Sequence, residues 1–210
     1  MWTWHGKRYV GVAHGVAGIL HTPLLCPADI LPGRARELAD GRGRRARQRA
    51  RVVRLLPLSL WLANPTDWCH GAPGLLLCAV LRCVSPAADP RLLATIVRAV
   101  QAAAARVYHY GLLAEGLGLC HGVASSVYAL LAAADVLDRA EGKAGSAKSR
   151  RDAGSDDASA HYYYLARAAH LAHLAAAPSA CTPMRVPDCP LSLYEGAAGM
   201  CCAWAGLAPR

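Results

Sequence analysis

The tripeptide Cys-His-Gly occurs twice in this chain, at 69–71 and 120–122, and an earlier histidine-glycine pair stands at His14-Gly15. Thiolate and imidazole are ligands that zinc takes tetrahedrally. A reactive zinc site keeps three protein ligands and leaves the fourth position for water or substrate. Cys69, Cys120 and His121 would make such a set. Two such tripeptides 51 residues apart match no zinc-finger spacing, and cysteine is often buried simply for packing. Spacing alone leaves a metal site and structural cysteines both open.

The elements that must position these residues are announced by four similar junctions: His14-Gly15-Val16-Ala17-Gly18, His70-Gly71-Ala72-Pro73-Gly74, His121-Gly122-Val123-Ala124-Ser125 and Glu195-Gly196-Ala197-Ala198-Gly199. Each pairs a polar residue with a glycine just before a helical pattern. Gly15, Gly71, Gly122 and Gly196 follow one another at intervals of 56, 51 and 74 residues, which suits one helical hairpin per repeat with inserts widening the first and last. The glycines alone read as packing positions in a helical array. The polar residue before each glycine is what points to chemistry.

The background of the chain is 54% apolar, rich in alanine and leucine, and this favours an all-α fold of helices packed on helices. Helical patterns are expected at 75–84, 123–137, 161–176 and 197–207. A further amphipathic helix is expected after Asp89-Pro90, an N-cap followed by an N1 proline, with Gly111 as its stop. Two stretches, 26–54 and 139–160, read as disordered inserts within a single domain spanning 1–210. Tyr162 to Tyr164 must turn at least one ring to the core, His170 and His173 read as surface residues, and Cys201 and Cys202 as small buried apolar residues.

The net charge is +9, and nine arginines fall between Arg34 and Arg54. That run lacks interleaved aromatic residues on which bases could stack, so no nucleic-acid partner is expected. An anionic membrane surface would attract it weakly, giving a peripheral plasma-membrane contact. The first residues hold no apolar stretch of signal-peptide length, and the longest apolar run is too short to span a bilayer. Nine cysteines without an export signal argue for reduced thiols in the cytoplasm.

Four motifs, YVGVAHGVAGIL, DWCHGAPG, YGLLAEGLGLCHG and PLSLYEGAAG, occur in an order that resembles the lanthionine synthetase C-like family, in particular its eukaryotic branch. The resemblance covers most of the chain outside the two inserts and corresponds to the C-terminal half of a family member. It implies an α/α toroid, a ring of seven inner helices surrounded by seven outer ones, here incomplete with about four hairpins. It further implies that Cys69, Cys120 and His121 hold zinc as the cofactor, that His14 is the catalytic acid/base histidine, and that His70 lines the same site beside substrate.

The activity implied is zinc-dependent thiol addition, resembling glutathione transfer to dehydroalanine or dehydrobutyrine residues of a protein or peptide. The alternative is a non-catalytic adaptor that binds zinc and glutathione. Arg185 matches, by its spacing to Glu195, an arginine that contacts glutathione in the family. Two departures stand out: Glu115 occupies the place of a lysine in the glutathione site, and Ser125 the place of a glycine.

Overall fold

A computed structural model describes residues 5–7, 9–15, 17–19, 21, 67–77, 90–144, 160–177 and 184–208. The expected insert at 26–54 lies outside them, as do Asp89 and most of the helix expected at 75–84. Five helices are named here: α1 (Ala72–Leu77), α2 (Pro90–Tyr110), α3 (Val123–Ala144), α4 (Ala160–Ala176) and α5 (Ala197–Leu207). The described residues form an all-α structure. α2 stops at Gly111 as its sequence requires. α3 runs seven residues beyond its expected end at 137, so 139–144, read from sequence as insert, are helical; Ala, Glu and Lys in that stretch are good helix formers.

α3 occupies the middle. Val123, Ala124, Val127, Leu130, Ala133, Ala134 and Leu137 are all buried along it, covering more than one face, because α1, α2, α4 and α5 all pack against it. A helix apolar on nearly every side belongs in a core. Alanine at so many of these positions lets the axes approach closely.

α1, α3 and α5, which follow the junctions, touch in that order, while α2 and α4 lie behind them and touch each other. This alternation of inner and outer helices is an arc of an α/α toroid. α2 presents Val100, Ala103, Ala104 and Val107 to the core. α4 presents Tyr164, Ala168, Leu171, Ala172 and Ala175, leaving Tyr162 and Tyr163 exposed.

Polar ties add direction to this packing. Trp204 Nε1 on α5 donates to the Ala172 carbonyl of α4 at 2.9 Å. Between α4 and α2, the Arg167 guanidinium lies 4.3 Å from the Tyr108 ring centre and 4.1 Å from that of Tyr163. Cys201 and Cys202 are exposed, which corrects the expectation that they pack as small apolar residues. α5 buries Gly199, Met200 and Ala203, and consecutive residues near 201 point round the other side of the helix.

Candidate metal centre

The junction loops, not the helices, carry the chemistry, and each loop is bonded to the next. The Gly11 amide donates to the His70 carbonyl at 2.9 Å, Val12 to Trp68 at 3.1 Å and His14 to Cys69 at 3.1 Å. Trp68 in turn donates to Cys120 at 3.0 Å. Leu119 donates to Leu193 at 3.2 Å and Cys120 to Tyr194 at 2.8 Å. Among the described residues, four loops distant in sequence are thus linked in series into one hydrogen-bonded ladder.

The spacing within each junction makes this ladder fit. A Cβ on Gly199 would lie 2.5 Å from the Leu193 carbonyl oxygen and 2.9 Å from the Leu119 amide nitrogen, and one on Gly74 would collide with Trp68 of its own loop and Val12 of the preceding one. At the equivalent place in the third junction stands Ser125. It is buried, and its hydroxyl donates to the Gly122 carbonyl at 2.9 Å, so the departure from glycine is absorbed locally.

The ladder brings Cys69, Cys120 and His121 together, their ligand atoms all within 4.8 Å of one another. Cys69 Sγ lies 3.5 Å from His121 Nδ1. Bond lengths of about 2.0–2.3 Å set tetrahedral ligands about 3.5 Å apart, so the trio fits zinc. The Cys69 and Cys120 thiols are hydrogen-bonded to each other. Cys69 is pushed far above the ordinary thiol range, chiefly by its hydrogen bond to Cys120 and then by burial, while Cys120 is drawn below that range by the same bond.

A second trio, Asp67, Cys69 and His70, also lies within metal-binding reach. There, however, His70 Nδ1 and Asp67 Oδ2 already satisfy each other at 3.2 Å. Two thiolates with one imidazole are also the softer set. Sequence reading assigned Asp67 no role, although its place three residues before His70 is the signal. Its other carboxylate oxygen accepts the His70 amide at 2.8 Å.

His70 Nδ1 also sits 3.1 Å from Cys69 Sγ, which places this residue beside the metal ligands as expected. His14 is exposed, its ring stacked on that of His70 with centres 4.8 Å apart, and the Tyr9 ring covers His70 at 4.6 Å. All the histidines proposed for chemistry therefore gather at one end of the arc.

Arg185 is part of a different wall. A cleft of about 350 Å³ opens against His121 and is lined by Glu115, Arg185, Val186, Pro187, Asp188 and Glu195. Arg185 Nη1 donates to Glu115 Oε2 at 3.0 Å, and the Arg185 amide donates to the Ala114 carbonyl at 2.7 Å. Glu115 lies beside Arg185 in this cleft, where the resemblance put it; Asp188 and Glu195 as cleft-lining acids were not foreseen. Nothing in the spacing of these two signals it, because the cleft is closed by segments distant in sequence, one at Glu115 and His121 and the other from Arg185 to Glu195.

The family model described as lanthionine synthetase C-like protein matches residues 1–208. Nearly the whole chain is covered, and its ordered junctions, helical arc and Cys-Cys-His cluster agree with the match: this chain belongs to the lanthionine synthetase C-like family.

Proposed function

We propose that this chain holds zinc on Cys69, Cys120 and His121 and adds a thiol to a dehydroalanine or dehydrobutyrine residue of a protein or peptide. A lanthionine-synthetase-like thiol-addition role follows from the family. The observation that supports the finer reading is the convergence of two thiols and an imidazole within 4.8 Å beside a cleft that His121 itself lines. Zinc bound there would lower the pKa of a substrate thiol, so that the nucleophilic thiolate is available at neutral pH.

In the addition, sulfur forms a bond to the alkene β-carbon as the π-electron pair moves onto the α-carbon as an enolate. A proton delivered to that α-carbon completes the reaction, and no oxidant or reductant is consumed. His14 is the proposed donor. Its ring lies on His70, whose Nδ1 is held by Asp67, and general-acid groups of this kind contribute about 10²–10⁴-fold. Glutathione is the thiol the family resemblance implies, with the Arg185 guanidinium suited to one of its carboxylates.

A site that depends on free thiolates suits a reducing compartment such as the cytoplasm. No described helix is long and apolar enough to cross a membrane; the arginine-rich stretch is the proposed peripheral contact.

Purified chain should carry about one zinc per molecule, and Cys69→Ala and Cys120→Ala should each abolish stoichiometric metal. Metal-loaded chain given glutathione and a dehydroalanine peptide should yield the peptide-glutathione adduct above the uncatalysed rate. Absence of metal in the unsubstituted chain would remove the zinc reading. Metal without adduct would leave the adaptor reading in its place.

A further inference from the structure

The cleft beside His121 is unbalanced in charge: Glu115, Asp188 and Glu195 line it against one guanidinium, that of Arg185. That guanidinium is already engaged by the Glu115 carboxylate at 3.0 Å. The pairing is set from the backbone as well, since the Arg185 amide is bonded to Ala114, the residue before Glu115. A ligand carboxylate reaching Arg185 must displace Glu115 and share the cleft with two more carboxylates. A ligand ammonium meets the carboxylates of Asp188 and Glu195 and leaves the Arg185–Glu115 pair in place.

We propose that Glu115 is a specificity-determining residue of this site: by satisfying Arg185 from within the chain, it turns the cleft away from carboxylate-bearing thiols and towards amine-bearing ones. This rests on the thiol-addition reading and revises its choice of thiol. Side-chain exposures of 75% for Arg185 and 49% for Glu115 limit the effect of this pair to about five-fold, the upper range for solvated ion pairs. Added salt should weaken it, because charges this exposed are screened over about 10 Å at 0.1 M ionic strength.

The test reads binding separately from turnover. S-methylglutathione and S-methylcysteamine, which cannot react, are titrated into the full chain by NMR, together with a short Lys-Cys-Lys peptide methylated at sulfur. Unsubstituted chain should bind the two amine-bearing probes more tightly than S-methylglutathione. Glu115→Gln should tighten S-methylglutathione about five-fold and weaken the cationic probes. Arg185→Gln should cancel that gain in the Glu115→Gln background and change little alone.

High salt should compress all these differences. Preference for S-methylcysteamine alone identifies a small aminothiol as the source, and equal preference for the peptide a basic cysteine segment. Identical probe affinities in unsubstituted and Glu115→Gln chains overturn the inference. Failure of adduct formation with these binding preferences intact would overturn turnover and leave the charge selectivity of the cleft standing.

Discussion

Asp67 shows how much at the candidate metal centre depends on a side chain outside the preferred ligand set. One of its oxygens holds the His70 amide and the other the His70 ring, fixing the turn that carries Cys69. Partners that orient a metal site in this way typically change affinity 10–100-fold when removed. Asp67→Ala is therefore expected to weaken zinc by about that factor in a chelator competition, with helical content retained. The thiols make a separate prediction. Because Cys69 is buried while Cys120 is only partly so, metal-free protein at neutral pH should be alkylated at Cys120 first, as read by mass spectrometry. Bound zinc should protect both. At this scale the sequence was informative about ligand types and, through the resemblance, about Glu115, and silent about the other acids of the cleft: Cys69, Cys120 and His121 sit in repeated tripeptides, whereas Asp188 and Glu195 meet Glu115 only through folding.

Among the elements, α5 carries two glycines with opposite expectations. Gly199 sits where its backbone meets Leu193 and Leu119, while a Cβ on the exposed Gly206 would find only a Leu131 methyl at 3.9 Å. Gly199→Ala must push the third and fourth loops apart and should cost about 2 kcal/mol or more. Gly206→Ala removes backbone freedom from the unfolded chain at no steric cost and should stabilise by about 0.5–1 kcal/mol. Opposite shifts in thermal midpoint would bear this out, and equal shifts would contradict the close packing of the loops. Helix positions were legible from apolar spacing and the terminal glycines, as the stop of α2 at Gly111 shows. The extension of α3 to Ala144 was not, because Arg139 to Ala144 carries charge and a glycine that mimic a linker while its neighbours remain good helix formers.

Across the whole molecule, the proposed metal ligands and the loop ladder are one mechanical unit, with Cys69 and Cys120 each both a proposed ligand and a rung. Removing zinc should lower the thermal midpoint, since a ligand held at 100 times its dissociation constant stabilises by about 2.7 kcal/mol. Amide exchange should quicken at Val12, Trp68 and Cys120 before it does in the middle of α3, where Val127 and Leu130 are wholly buried. The toroidal arrangement was legible only through the order of the four junctions, because apolar spacing specifies helices without saying which of them are neighbours. The intervals between junction glycines vary from 51 to 74 residues, yet each loop is bonded through its backbone to the next. The proposed reactive groups are thus brought together by bonding between loops rather than by distance along the chain, so a hairpin that lengthens away from its loop should leave Cys69, Cys120 and His121 within reach of one another.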